Sequence, residues 1–132
     1  MLTGPTVILI LKIAVATVTV LLLASLVCAA WGLYRWHGRI NMAFFVLTLV
    51  AVLGLEVMIR LVDPNLFDYF SAETRRAMAI HLGFSIPSTV LMPVMLFTGL
   101  SHRRRVHMSI GALFLLCWTG TFVTGIFWLP HE

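Results

Sequence analysis

Leu100–Gly111 reads LSHRRRVHMSIG, three consecutive arginines flanked by histidines and set between two long apolar runs. Three guanidinium groups are too costly to hold in lipid, and backbone inside a bilayer must be helical, so this stretch marks a bend at a membrane surface between two spans. Outward from it, four apolar runs qualify as spans: Thr6–Tyr34, Ile40–Leu61, Arg76–Leu100 and His107–Leu129. Each meets the length of about 20 residues that a hydrocarbon core of about 30 Å requires. The short connections YRWHGRI and SHRRRV make spans one and two, and spans three and four, antiparallel hairpins. The expected fold is a single all-α integral membrane domain over residues 1–132, a bundle of two helical hairpins.

The composition agrees. Of 132 residues, 61% are hydrophobic and 11% charged, outside the range of ordinary soluble domains. The formal charge of +4 comes from nine basic residues that lie mostly beside apolar runs, which favours lipid headgroups over nucleic acid as the partner. Cys28 and Cys117 each fall inside an apolar run and form no CxxC pair, so both read as packing residues. The first run lacks a basic leader and reads as a retained helix rather than a cleaved signal.

Arg35, Arg39, Arg103, Arg104 and Arg105 occupy the first and third connections without any acid, whereas Arg60, Arg75 and Arg76 near the middle loop share it with Asp63, Asp68 and Glu73. The positive-inside rule then places the arginine-only bends in the cytoplasm and both termini on the periplasmic side of a bacterial inner membrane. Trp31, Tyr34 and Trp36 at one boundary and Trp128 at the other suit interfacial belts. Asp63-Pro64-Asn65 signals a turn, and Ser71 is placed to cap a short helix leading into span three. An internal echo aligns Arg39 with Arg105, Ile40 with Val106 and Met42 with Met108 at the entries to the even spans.

Three ionisable residues lie inside spans: Lys12, Glu56 and His81. At similar depth, a bundle can gather them into one intramembrane polar cluster. The plainer alternative is that Lys12 snorkels to the headgroups, Glu56 pairs with Arg60 one turn on, and His81 is a satisfied core histidine. In span three, His81, Ser85, Ser88 and Met92 recur on one face of a helix interrupted by Pro87 and Pro93. In span four, His107, Gly111, Phe114, Trp118, Thr121 and Gly125 share a face and read as a packing seam. Seven methionines, Met58, Met78, Met92 and Met95 among them, read as core packing rather than copper ligands.

The placement of His81, His107, Trp118, Thr124 and Gly125 along the last two spans resembles the bacterial membrane family known as domain of unknown function four-twenty. That resemblance implies a four-span inner-membrane protein, some of whose relatives are assembly factors for haem–copper cytochrome oxidase. It implies an accessory role in the respiratory chain, binding the transmembrane helices of a larger complex, and the small size, tiny loops and lack of any extramembrane nucleophile, metal motif or phosphate loop read as an interaction protein with no catalytic residues and no metal site. The alternative is a haem-binding electron-transfer bundle with His81 as a ligand. His81 and His107 begin antiparallel spans on opposite membrane faces, roughly 30 Å apart, so His81 would need Met58 or His131 as its partner. On the arginine side, His37, His102 and His107 are placed to converge on a metal, although boundary histidines among arginines more often contact lipid headgroups. A proton relay through Glu56 and His81 is a third possibility, with no acidic or histidine chain to continue it.

Overall fold

The computed structural model describes residues 3–62, 64, 65, 68 and 70–128. Four helices follow one another: α1 (Gly4–Ala30), α2 (Tyr34–Val57), α3 (Ala72–Leu100) and α4 (Arg104–Val123). α2 and α4 each finish in a π-helical turn, Met58–Val62 and Thr124–Trp128. All four helices are long and apolar enough to cross a membrane. The chain is an all-α bundle of two antiparallel hairpins, α1 against α2 and α3 against α4.

The helix starts carry their own signals. Thr3 caps α1 by accepting from the Thr6 amide, with Pro5 in the first turn, where its missing N–H costs nothing. Ser71 caps α3 in the same way, accepting from the Thr74 amide at 3.2 Å. The segment from Ser71 is therefore no separate short helix: α3 runs unbroken from Ala72 to Leu100, through both Pro87 and Pro93. Around Pro87 the Ser88 and Thr89 hydroxyls bond back to the carbonyls of Phe84 and Ser85, as serine and threonine do in proline-containing membrane helices.

Both tight bends use one device. After α1, Gly32 takes φ +78°, and the Leu33 amide reaches back to the Cys28 carbonyl. After α3, His102 takes φ +55°, and the Arg103 amide reaches back to the Thr98 carbonyl. Each is a left-handed residue closing a helix end with a six-to-one hydrogen bond. Each bend is thus only three residues long. α2 begins at Tyr34 and α4 at Arg104, so Arg35, His37, Arg39, Arg104 and Arg105 lie in the opening turns of the helices and not in loops.

These bends also correct the internal echo. They set the hairpins seventy positions apart, which aligns Arg35 with Arg105, His37 with His107, Ile40 with Ile110 and Phe44 with Phe114. Aligning Arg39 with Arg105 rests on a change from basic to apolar character, which fixes no register. The shared left-handed residue does.

The hairpins meet about a pseudo-two-fold axis along the bundle. At its centre the Phe44 and Phe114 rings pack edge to face with centroids 6.0 Å apart, and Trp118 lies 5.0 Å from Phe44 and stacks on Phe114. Val18, Leu22 and Met92 complete this buried core. A smaller cluster of Ile8 and Phe70 closes the far end. The expected seams in spans three and four both point inward: Ser88, Met92, Phe114, Trp118, Thr121 and Gly125 are buried. In α2 the Thr48 hydroxyl is buried without a hydrogen-bond partner. Thr48→Val keeps the shape and removes that unmet group. The variant is expected to match or exceed the parent in detergent-unfolding midpoint.

Candidate functional site

Polar side chains inside the bundle fall into two layers. The first lies at the arginine end, where His37 and His107 occupy the same turn of α2 and α4. His37 Nδ1 is 2.9 Å from the Ser25 carbonyl, and His107 Nδ1 is 3.1 Å from the Met95 carbonyl, in each case twelve residues back on the preceding helix. A carbonyl only accepts, so both Nδ1 atoms carry a proton and any ring lone pair lies on Nε2. Hydroxyls reinforce the arrangement, Ser25 Oγ at 2.8 Å from His37 Nδ1 and Thr98 Oγ1 at 3.1 Å from His107 Nδ1. Gly99 makes room for the second ring, since a Cβ there would stand 3.1 Å from His107 Cε1.

The two rings face each other. Their centroids are 6.3 Å apart and their planes nearly perpendicular, at 88°. On the first hairpin the polar set closes into a circuit: Ser25 Oγ donates to Asn41 Oδ1 at 2.6 Å, and the Asn41 amide donates to His37 Nε2 at 3.2 Å. At the matching places on the second hairpin stand Met95 and Gly111, and the Met95 methyl fits against Gly111. Of the three histidines read as able to converge on this side, the structure joins His37 and His107 and leaves His102 exposed in the bend. Arg35, Arg39, Arg103, Arg104 and Arg105 form an exposed fringe around this layer, with the Arg39 guanidinium over the Trp36 ring.

The second layer ties α3 to α4 nearer the far end. The Thr124 hydroxyl donates to the Gly120 carbonyl at 2.7 Å, so its oxygen accepts from His81 Nδ1 at 3.0 Å. His81 also lies against Gly125, where a Cβ would come within 2.9 Å of the ring. One turn deeper, Ser88 and Thr121 share a hydrogen bond at 3.2 Å. Four residues of the family resemblance thus fall into contacts of this bundle: His81 with Thr124 and Gly125, and Trp118, whose indole donates to Thr19 of α1 at 3.1 Å. The fifth, His107, belongs to the first layer.

The expected cluster of Lys12, Glu56 and His81 does not assemble. Glu56 is half exposed, and its carboxylate accepts from Arg60 at 2.6 Å, the i,i+4 pairing that the spacing allows. Lys12 is buried against the bundle, with 7% of its surface exposed. His81 takes its partner from α4. Met58, the second donor that the haem alternative would use, lines a groove of about 240 Å³ between α1 and α2. His131 and Asp63 lie outside the described residues. Cys28 and Cys117 are half-buried and not joined by a disulfide.

Sequence reasoning reached the arginine-end histidines without pairing them. The missed signal is the R-x-H-x-x-I-x-x-x-F pattern that opens both α2 and α4. Its recurrence places equivalent histidines either side of a two-fold axis, and hence opposite one another. No family model, no curated protein and no solved structure matches this chain.

Proposed function

We propose that this chain is an accessory protein of a larger respiratory membrane complex of the haem–copper oxidase type. It acts inside the bilayer through helix faces, without turnover. In this reading the membrane is the bacterial inner membrane, with the arginine end in the cytoplasm and the termini on the periplasmic side.

The observation that carries the reading is the uneven covering of the helices. In their most apolar stretches α1 and α4 have 28% of residues buried within the bundle, whereas α2 and α3 have 11%. α1 and α4 hold the fold together, and α2 and α3 are left to face their surroundings. On α3 that outer surface includes the two prolines and Gly83, where an added Cβ would meet nothing within 4 Å. Such a face admits close approach by another helix. Extramembrane material is scant, since the bends at the arginine end are three residues long. The resemblance of spans three and four supplies the kind of complex.

Purification in mild detergent, followed by identification of co-purifying subunits, tests the reading. A respiratory complex is expected to accompany the wild-type chain. Gly83→Leu points into open space and is expected to leave the bundle folded while reducing the recovered partner at least tenfold. Recovery of the wild-type chain without any larger complex overturns the proposal.

A further inference from the structure

We propose that His37 and His107 together bind one transition-metal centre, through their Nε2 atoms, at the arginine end of the bundle. Three independent features of the layer point to this. The first is tautomer control. Both rings donate Nδ1–H to a main-chain carbonyl, which directs the lone pair to Nε2, the outer-shell arrangement that orients metal-binding histidines; on His37 that lone pair now accepts from the Asn41 amide. The same anchoring recurs at both symmetry-related positions.

The second is spacing. With metal–imidazole bonds of about 2.0–2.1 Å and a ring centre roughly 1 Å behind its Nε2, two imidazoles on opposite sides of one metal atom have centres about 6 Å apart. The observed separation is 6.3 Å. A single metal atom therefore calls for rotation of the rings about their anchored Nδ1 edges, whereas a porphyrin must also displace the side chains packed between α2 and α4. One internal competitor must yield: the Asn41 amide now donates to His37 Nε2.

The third is the number of donors. Among the described residues no three His, Cys, Asp or Glu side chains gather at one place. A bare zinc ion, which takes four ligands in structural sites, is poorly served by two. Two kinds of centre are content with a pair of neutral imidazoles. Haem iron receives four nitrogens from the porphyrin and needs only the axial two. Cu(I) accepts two or three neutral donors and favours soft ones, and the Met95 thioether sits against Gly111, one turn deeper than His107. Arg35 and Arg105, each two residues before a ligand histidine, are suited to the carboxylates of a porphyrin. The shared chemistry is one metal atom between two Nε2 lone pairs.

The experiment uses the full chain in mild detergent, with two probes. Haem is titrated and followed by its Soret band. Cu(I) is titrated anaerobically against a chromophoric chelator. One equivalent of one probe is expected to bind. His37→Gln and His107→Gln should each weaken binding at least tenfold, while His81→Gln and His102→Gln leave it unchanged. Asn41→Ala, which frees His37 Nε2, should tighten binding several-fold, a gain that misfolding would not mimic. If haem is the ligand, ferric protein should give the strongly anisotropic low-spin resonance of perpendicular axial imidazoles. If Cu(I) is, the copper absorption edge should report nitrogen neighbours. Failure of both probes to bind, or stoichiometric binding that survives the His37→Gln/His107→Gln double variant, overturns the proposal. The partner test above is read independently of either result.

Discussion

Trp118→Ala is expected to be the most damaging single truncation in the bundle, lowering stability by about 3 kcal/mol, toward the lower end for large aromatics in cores. Lipid tails are as apolar as the indole, so little of that cost is transfer from water. What is lost is contact. Trp118 is buried against Phe44 and Phe114, one from each hairpin, and its indole N–H is the hydrogen bond that fastens α4 to Thr19 of α1. Removing it opens a cavity where the two halves meet and leaves the Thr19 hydroxyl without its donor. Trp118→Phe keeps a ring in the stack and should cost only about 1 kcal/mol, the share of one hydrogen bond. Far-UV circular dichroism during titration with a denaturing detergent reads both midpoints. Equal loss in the two variants would show that the hydrogen bond, and not the packed ring, holds the hairpins together.

The second large effect concerns insertion. Replacing Arg103, Arg104 and Arg105 with glutamate is expected to abolish correct insertion of the second hairpin, leaving inverted or degraded protein. These arginines sit in the bend and the first turn of α4, exposed, and no ion pair of the described structure depends on them. Their weight is therefore topological: basic residues near span ends set orientation, and a swap to acids removes that signal at one of only two arginine bends. A single cysteine introduced at Ser101, with Cys28 and Cys117 replaced by alanine, reports the side by labelling with an impermeant reagent. In the wild-type background Ser101→Cys should label only from the cytoplasmic face. Identical labelling and abundance in the triple-glutamate chain would remove the arginines from any role in orientation.

Much of this architecture is legible in the linear sequence because each span must satisfy its backbone internally, so apolar run length alone marks four helices. The inward seams of α3 and α4 follow as directly, since helical periodicity sorts Ser88 and Met92, or Phe114 and Trp118, onto one side. The Glu56–Arg60 pair is likewise a local matter of one helical turn. Helix starts are less visible. Arg35 and Arg104 read as loop residues by charge, yet a guanidinium at a helix end reaches water while its backbone stays helical. The register between helices is hardest to see. Nothing local distinguishes an alignment on Arg39 from one on Arg35, and the choice decides whether His37 and His107 meet. It rests on the φ of Gly32 and His102, which composition does not disclose for a histidine.

The layer at the arginine end has a duplicated backbone and unequal side chains. Where the first hairpin places Ser25 and Asn41, the second places Met95 and Gly111. One imidazole is consequently gripped at both nitrogens, while its twin is held at a single edge beside a pliable thioether. The frame is symmetric but its compliance is lopsided: the His107 ring has fewer restraints to break on turning than the His37 ring.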